Sequence, residues 1–189
     1  DRARVAALVK QCLLTKVCGL STGGASRAES VTRGFHALPK AAQWVLVHDG
    51  ARPCVPPQLI AASVHAAKRY GAVACGLPST LTVKAVDDGG EVRLTLDREH
   101  LWFVQTPQVF RREWFAEAIG RANGHLAQFP DDAALLEAAG FRVRMIPGDP
   151  LNIKVTTRQD LVLAEAILRR RAQRSEQKVK RSERASALV

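Results

Sequence analysis

WVLVHDGARP, Trp44 to Pro53, is an apolar run that stops abruptly in His48-Asp49-Gly50-Ala51-Arg52-Pro53. A run rich in Val and Leu, closed by Gly and Pro, reads as a buried parallel strand, and the polar cluster then falls where the strand ends. Open α/β sheets bind their ligands outside the carboxyl ends of the strands. Asp49 could there hold a hard cation, and Arg52 could fork onto a phosphate. The same residues also suit a loop ion pair with Asp49 capping the next helix, a common arrangement, and this stretch alone does not choose between the two.

Working outward, Pro57 stands in the first turn of a helix that runs to about Tyr70, and Val73 to Leu77 is the next strand. Upstream, apolar residues at helical spacing from Asp1 to about Leu14 predict a helix capped by Asp1, followed by a short strand at Lys16 to Leu20. STGGASRAESV, Ser21 to Val31, then leads into a helix from about Arg27 to Leu38, with Ser26 and Glu29 forming a capping box. Gly23, Gly24 and Ser30 belong to a glycine turn that opens a helix, a place that also suits an anion or a polar base edge. The rhythm is βαβαβ, an α/β fold with a parallel sheet and right-handed crossovers.

After Leu77 the period changes to two. LTVKAV, Leu81 to Val86, and EVRLTL, Glu91 to Leu96, flank Asp87-Asp88-Gly89-Gly90 and predict a β-hairpin. Two strands alone need a partner, which makes the hairpin a candidate dimerisation arm, although its tip could equally lie on its own subunit. FVQTPQVF, Phe103 to Phe110, is a further strand, Arg111 to Asn123 and Asp131 to Ala139 are helices, and Phe141 to Gly148 alternates as an edge or half-buried strand. Asp131 and Asp132 suit the start of the second helix through capping and the dipole. Leu151 to Arg171 reads as a strand carrying Lys154, a cap at Thr156 or Thr157, and a long terminal helix.

The 189 residues fit one domain, and 47% hydrophobic content supports a globular fold. The net charge of +10 is concentrated at the end: between Arg169 and Arg184 eight basic residues face two acidic ones, leaving the body mildly basic. Residues 172–189 are too poor in apolar side chains to offset the entropy of ordering and read as a disordered, solvated tail. A nucleic-acid role lacks the aromatic interleaving and binding signatures that would accompany it. Cys12, Cys18, Cys54 and Cys75 are scattered without metal-ligand spacing, and read as reduced, mostly buried thiols of a reducing compartment. No apolar run approaches a membrane span and no signal peptide opens the chain. The chain begins at Asp1 without Met, so an upstream portion is expected.

Taken together, GGASRAESV, VLVHDGARP, the TVK of Thr82 to Lys84, DREHLW of Asp97 to Trp102, QTPQ of Gln105 to Gln108 and NIKVT of Asn152 to Thr156 resemble the 2-C-methyl-D-erythritol 4-phosphate cytidylyltransferase family, in that family's order and over residues 1–171. The resemblance implies a Rossmann-like, mostly parallel sheet flanked by helices, with a β-arm at about 79–100. It also implies a Mg²⁺-dependent cytidylyltransferase acting on CTP and a polyol phosphate, homodimeric through the arm, and cytoplasmic. It assigns Gly24 and Ser30 to a cytosine pocket and Asp49 to the nucleotide and metal. Arg52, Thr82 and Thr106 fall to the substrate site. Arg98, reaching the partner subunit's substrate phosphate, and Lys154 fall to positioning of the attacking phosphate.

Three departures accompany the resemblance. The family usually opens with a strand and a Gly-rich loop that cradle the triphosphate, and this sequence begins after that region, so the chain alone is expected to bind CTP poorly. Pro130 stands where a Thr is common, and Leu151 where an acidic residue usually precedes the NIK triplet; Asp149 is a candidate substitute for the latter. A pentitol-phosphate cytidylyltransferase and a non-catalytic truncated homologue stay open as alternatives.

Overall fold

A computed structural model describes residues 1–122 and 124–186, with side chains up to Arg174 and at Gln177. Helices α1 (Arg2–Gln11) and α2 (Arg27–His36) precede strand β1 (Trp44–Val47), α3 (Pro57–Tyr70) and β2 (Ala72–Pro78). The hairpin β3 (Val83–Val86) and β4 (Val92–Leu96) follows, then β5 (Trp102–Arg111), α4 (Arg112–Arg121), α5 (Asp132–Ala138), β6 (Arg144–Pro147) and α6 (Arg158–Ser186). Four strands form one sheet in the order β1-β5-β2-β6, and β3 and β4 form a second. The fold is the expected α/β one, a mixed, mostly parallel sheet flanked by helices.

Three local readings are corrected. β1 runs antiparallel to β5, with Val45 opposite Phe110 and Val47 opposite Gln108, because an apolar run signals burial and says nothing of its neighbour's direction. Lys16 to Leu20 is not a strand: its backbone turns where the Val17 N–H donates to Leu14 O. Residues 151–155 are not a strand either, for a reason that lies in the candidate site.

The chain gathers into two compact units interleaved along the sequence. The first comprises Asp1–Val47, Ser63–Ala74 and Gln108–Ile146. Its core is aromatic: Phe35 meets Phe115 edge-on at 5.3 Å, and Phe115 stacks on Phe110 at 5.4 Å. Val45, Leu135 and Leu136 pack around them, and each fully buried side chain of this size contributes about 1.5–3 kcal/mol. Gly71, which ends α3 with φ +84°, lies where any Cβ would collide with the Trp114 ring. The capping readings hold here. Ser26 Oγ accepts from Glu29 N at 3.1 Å, and Asp131 Oδ1 accepts from Ala134 N at 2.8 Å. Asp1, by contrast, occupies the cap position of α1 without a side-chain bond. Asp132 does more than cap, since it is buried and paired with Arg27 at 2.8 Å.

The second unit comprises His48–Ala62, Cys75–Pro107 and Pro147–Val189. Its hairpin has the expected antiparallel pairing, with an irregularity between Ala85 and Val86, and Asp87 Oδ1 closes the turn by accepting from Gly89 N and Glu91 N. Cys54, Ala164 and Ile167 form a small core with Ile153 and Val155 against it. Thr157 caps α6 reciprocally: its Oγ1 accepts from Asp160 N, while Asp160 Oδ2 accepts from both Thr156 N and Thr157 N.

α6 continues as helix past Arg171 to Ser186, where the composition predicted disorder. Arg, Lys, Gln, Glu and Ala are good helix formers, and extending an existing helix avoids the cost of nucleation. The last three residues of the predicted tail, 187–189, lie outside those described. Among the described residues no helix is long and apolar enough to cross a membrane.

Candidate active site

β1 delivers His48 and Asp49 at its carboxyl end, and a turn in which Arg52 N donates to Asp49 O brings Arg52 back beside them. Asp49 Oδ2 lies 3.2 Å from Lys154 Nζ and 3.6 Å from Arg52 Nε. The aspartate and arginine side chains are 13% and 11% exposed, whereas Lys154 is 45% exposed. Two cations against one carboxylate leave an excess of positive charge, which attracts a phosphate. Thus the loop ion pair is realised, and Lys154 joins it as a second cation on the same carboxylate.

Thr106, on β5, is the hub beneath this cluster. Its Oγ1 accepts from Asp49 N at 3.0 Å and lies 3.0 Å from His48 Nδ1. On the far side of the ring, His48 Nε2 is 3.1 Å from Arg52 O. A carbonyl can only accept, so the neutral ring carries its proton on Nε2, and Nδ1 accepts from the Thr106 hydroxyl. The Asp49–Arg52 turn is therefore fixed at both ends.

Lys154 arrives on an irregular segment, and side-chain amides explain why it is not a strand. Gln105 Nε2 donates to Asp149 O at 3.0 Å and Gln105 Oε1 accepts from Asp149 N at 3.2 Å. Asn152 Nδ2 donates to Thr106 O at 2.8 Å, and Arg52 Nη1 donates to Asn152 O at 2.8 Å. Val155 N donates to Ala51 O at 2.8 Å. The backbone groups a sheet would have paired are taken up in these bonds.

The remaining predicted residues divide. Thr82 is exposed just before β3, and Arg98 Nη1 donates to Thr80 O at 2.8 Å, so both stand with the arm and not with Asp49. Gly24 and Ser30 meet in the other unit, where Gly24 N donates to Ser30 Oγ at 2.9 Å and Ser30 Oγ donates to Ser26 O at 2.9 Å. Glu29 accepts from Ala25 N, a bond that together with Arg33 holds its carboxyl below the usual range. Asp149 Oδ1 accepts from Leu151 N in a tight local turn.

The sequence reading gave no role to His48, Gln105 or Asn152. Gln105 and Gln108 on an apolar strand were the available signal, because a polar side chain in a core strand has to find partners. Two of the four thiols also correct their reading, since Cys12 and Cys18 are exposed while Cys54 and Cys75 are buried. Burial pushes the Cys75 thiol up to about 11, partly offset by Arg52.

Among the described residues no cluster of three or more His, Cys, Asp or Glu could hold a metal ion by itself. Asp49 is the carboxylate of this cluster that would serve a magnesium ion, which commonly takes one or two carboxylates and completes its shell with water and substrate phosphates.

A mostly parallel α/β sheet with a carboxylate-cation cluster at a strand end and an inserted two-stranded arm places the chain in the nucleotidyltransferase-like class. A family profile described as "IspD: 2-C-methyl-D-erythritol 4-phosphate cytidylyltransferase" matches residues 2–170. A curated protein of that name from Syntrophus aciditrophicus is 40% identical over 157 residues, which cover 83% of this chain and 67% of the relative. Among solved structures, the chain resembles the 2-C-methyl-D-erythritol 4-phosphate cytidylyltransferase of Thermus thermophilus with a TM-score of 0.71 and 39% identity, covering 81% of this chain and 76% of that one. The 4-diphosphocytidyl-2C-methyl-D-erythritol synthase of Anaerococcus prevotii gives a TM-score of 0.79 at 28% identity, covering 89% and 76%. The chain belongs to the 2-C-methyl-D-erythritol 4-phosphate cytidylyltransferase family.

Proposed function

We propose that the chain transfers CMP from CTP to 2-C-methyl-D-erythritol 4-phosphate. An oxygen of the polyol phosphate attacks the α-phosphorus of CTP, the bond to the β-phosphate oxygen breaks, and pyrophosphate leaves. The nucleophile is already ionised near neutral pH, so what the protein must supply is alignment and positive charge for two polyanions. The observation that carries this reading is the Asp49–Lys154–Arg52 cluster with its excess of cations at the end of β1.

In this reading Lys154 meets the incoming phosphate, while Arg52 and Thr106 line the substrate site. Gly24 and Ser30 receive the cytosine. Asp49, together with the nucleotide phosphates, would hold Mg²⁺, and that ion would supply Lewis-acid stabilisation of negative charge. Arg98 and Thr82 act from the arm toward the substrate of a second subunit. That the arm exposes Val86, Val92 and Leu94 supports a homodimer formed through it. A cytoplasmic setting agrees with four unpaired thiols.

The test is pyrophosphate release from CTP with Mg²⁺ and 2-C-methyl-D-erythritol 4-phosphate, with ribitol 5-phosphate as a parallel acceptor. The chain is assayed as given and with whatever coding sequence precedes Asp1. Turnover specific to the methylerythritol acceptor is expected. Turnover with ribitol 5-phosphate alone, or with neither acceptor in either form, overturns the reading.

A further inference from the structure

Lys154 lies on residues 148–157, which carry neither helix nor strand apart from the capping turn before α6. A segment of this kind places a side chain only as well as its tethers do. The tether that meets it with both a donor and an acceptor is Gln105, 7% exposed on β5. Its Nε2 reaches Asp149 O and its Oε1 receives Asp149 N, the pair of bonds a neighbouring strand would otherwise make. The same amide lies 3.4 Å from Asn152 O and from Asn152 Nδ2. Asn152 in turn holds Thr106 O and receives Arg52.

Gly148 is an independent sign that this contact is built into the chain. A Cβ there would run into Gln105 Oε1 and would stand 3.1 Å from Gly76 O, so the absence of a side chain at 148 makes room for the carboxamide. The backbone of Gly148 is ordinary in φ, so close approach and not a left-handed conformation is what calls for glycine here.

We propose that Gln105 is a positioning residue of the transfer site: its buried carboxamide stands in for a missing strand and fixes the Asp149–Val155 segment so that Lys154 Nζ meets Asp49. Gln105 touches neither reacting group and acts through Lys154. The kinetic consequence rests on the cytidylyltransferase reading, whereas the structural consequence does not.

The experiment compares the unsubstituted chain with Gln105→Met, which keeps length and apolar bulk without the amide, and Gly148→Ala, which displaces the amide from the other side. Hydrogen exchange at Asp149 and Asn152 should accelerate about tenfold or more in both variants, with amides of α3 and α4 within about twofold of the parent. In the same preparations kcat should fall about thirtyfold while KM for CTP stays within about twofold, because alignment is lost and nucleotide binding is not. Unchanged exchange at 149–155, a uniform acceleration across all amides, or a released segment with undiminished kcat would overturn the proposal. If the unsubstituted protein turns over in neither form assayed above, the catalytic reading fails, and the exchange measurement still decides whether Gln105 holds the segment.

Discussion

Lys154 Nζ stands 3.2 Å from Asp49 Oδ2, and the two partners are unequally sheltered, the carboxylate at 13% exposure and the lysine at 45%. The shielded member keeps a second cation, Arg52, at its side. The exposed member therefore contributes little to holding the fold and is free to meet an anion arriving from solvent.

Lys154→Ala should accordingly lower turnover by about 10²- to 10³-fold, the range seen when a preorganised charge-stabilising group is removed. Half-exposed ion pairs contribute only about 0–1 kcal/mol, so the melting temperature should move by no more than a few degrees. Steady-state kinetics with parallel melts checks both, and a large drop in melting temperature would mark the pair as structural.

Thr106 ties two elements with a single hydroxyl, accepting from Asp49 N and facing His48 Nδ1. Thr106→Val keeps the shape and leaves both partners without it, at a cost of about 1–3 kcal/mol. Chemical denaturation should show that loss with an unchanged m-value, and turnover should fall with it. A neutral substitution would mean that the Asp49–Arg52 turn holds itself.

Asp160 receives the Thr156 and Thr157 amides and both of their hydroxyls interact with it, which lowers its carboxyl from the ordinary 3.8 to about 2. A depressed folded-state value contributes stability above the unfolded-state value and loses it as pH falls through the folded one. Asp160→Ala should therefore melt below the parent at pH 7, and the gap should narrow between about pH 4 and pH 2. A gap independent of pH would show that ionisation of Asp160 is not what caps α6.

The four cysteines should separate cleanly toward a thiol reagent at neutral pH. Cys12 and Cys18 are exposed, whereas Cys54 and Cys75 are buried with their thiols pushed up, Cys75 to about 11. Two thiols should react in the native chain and all four in denaturant. Rapid reaction of a third would show that the core around Cys54 or Cys75 opens readily.

Local chemistry was legible in the sequence wherever one residue type had one use. Asp87 to Gly90 predicted a hairpin because that turn demands such residues, Ser26 and Asp131 predicted caps because their oxygens suit free amides, and the abrupt end of WVLV placed Asp49 at a strand end. What stayed hidden depended on partners distant in the chain. Nothing in NIKV reveals that Gln105 and Asn152 have already taken the hydrogen bonds a strand would make, and nothing in WVLV reveals that β5 runs the other way. The Asp49–Arg52 pair could be read from its own loop, whereas the placing of Lys154 in the same site was suggested only by family resemblance, because Lys154 lies about a hundred residues further along the chain. Cys12 looked like a core residue of an amphipathic helix, yet α1 has no buried residue at all.

The segment that carries Lys154 is held at Asp149 and Asn152 by Gln105, at Val155 by Ala51, and at its end by the Asp160 cap. A segment fastened at so many points is a poor candidate for a flap. On the proposed reading a phosphate diffusing toward Lys154 would meet an ammonium group already in place, so capture on this side of the site should be governed by encounter and ionic strength, with no slow conformational gate to wait for.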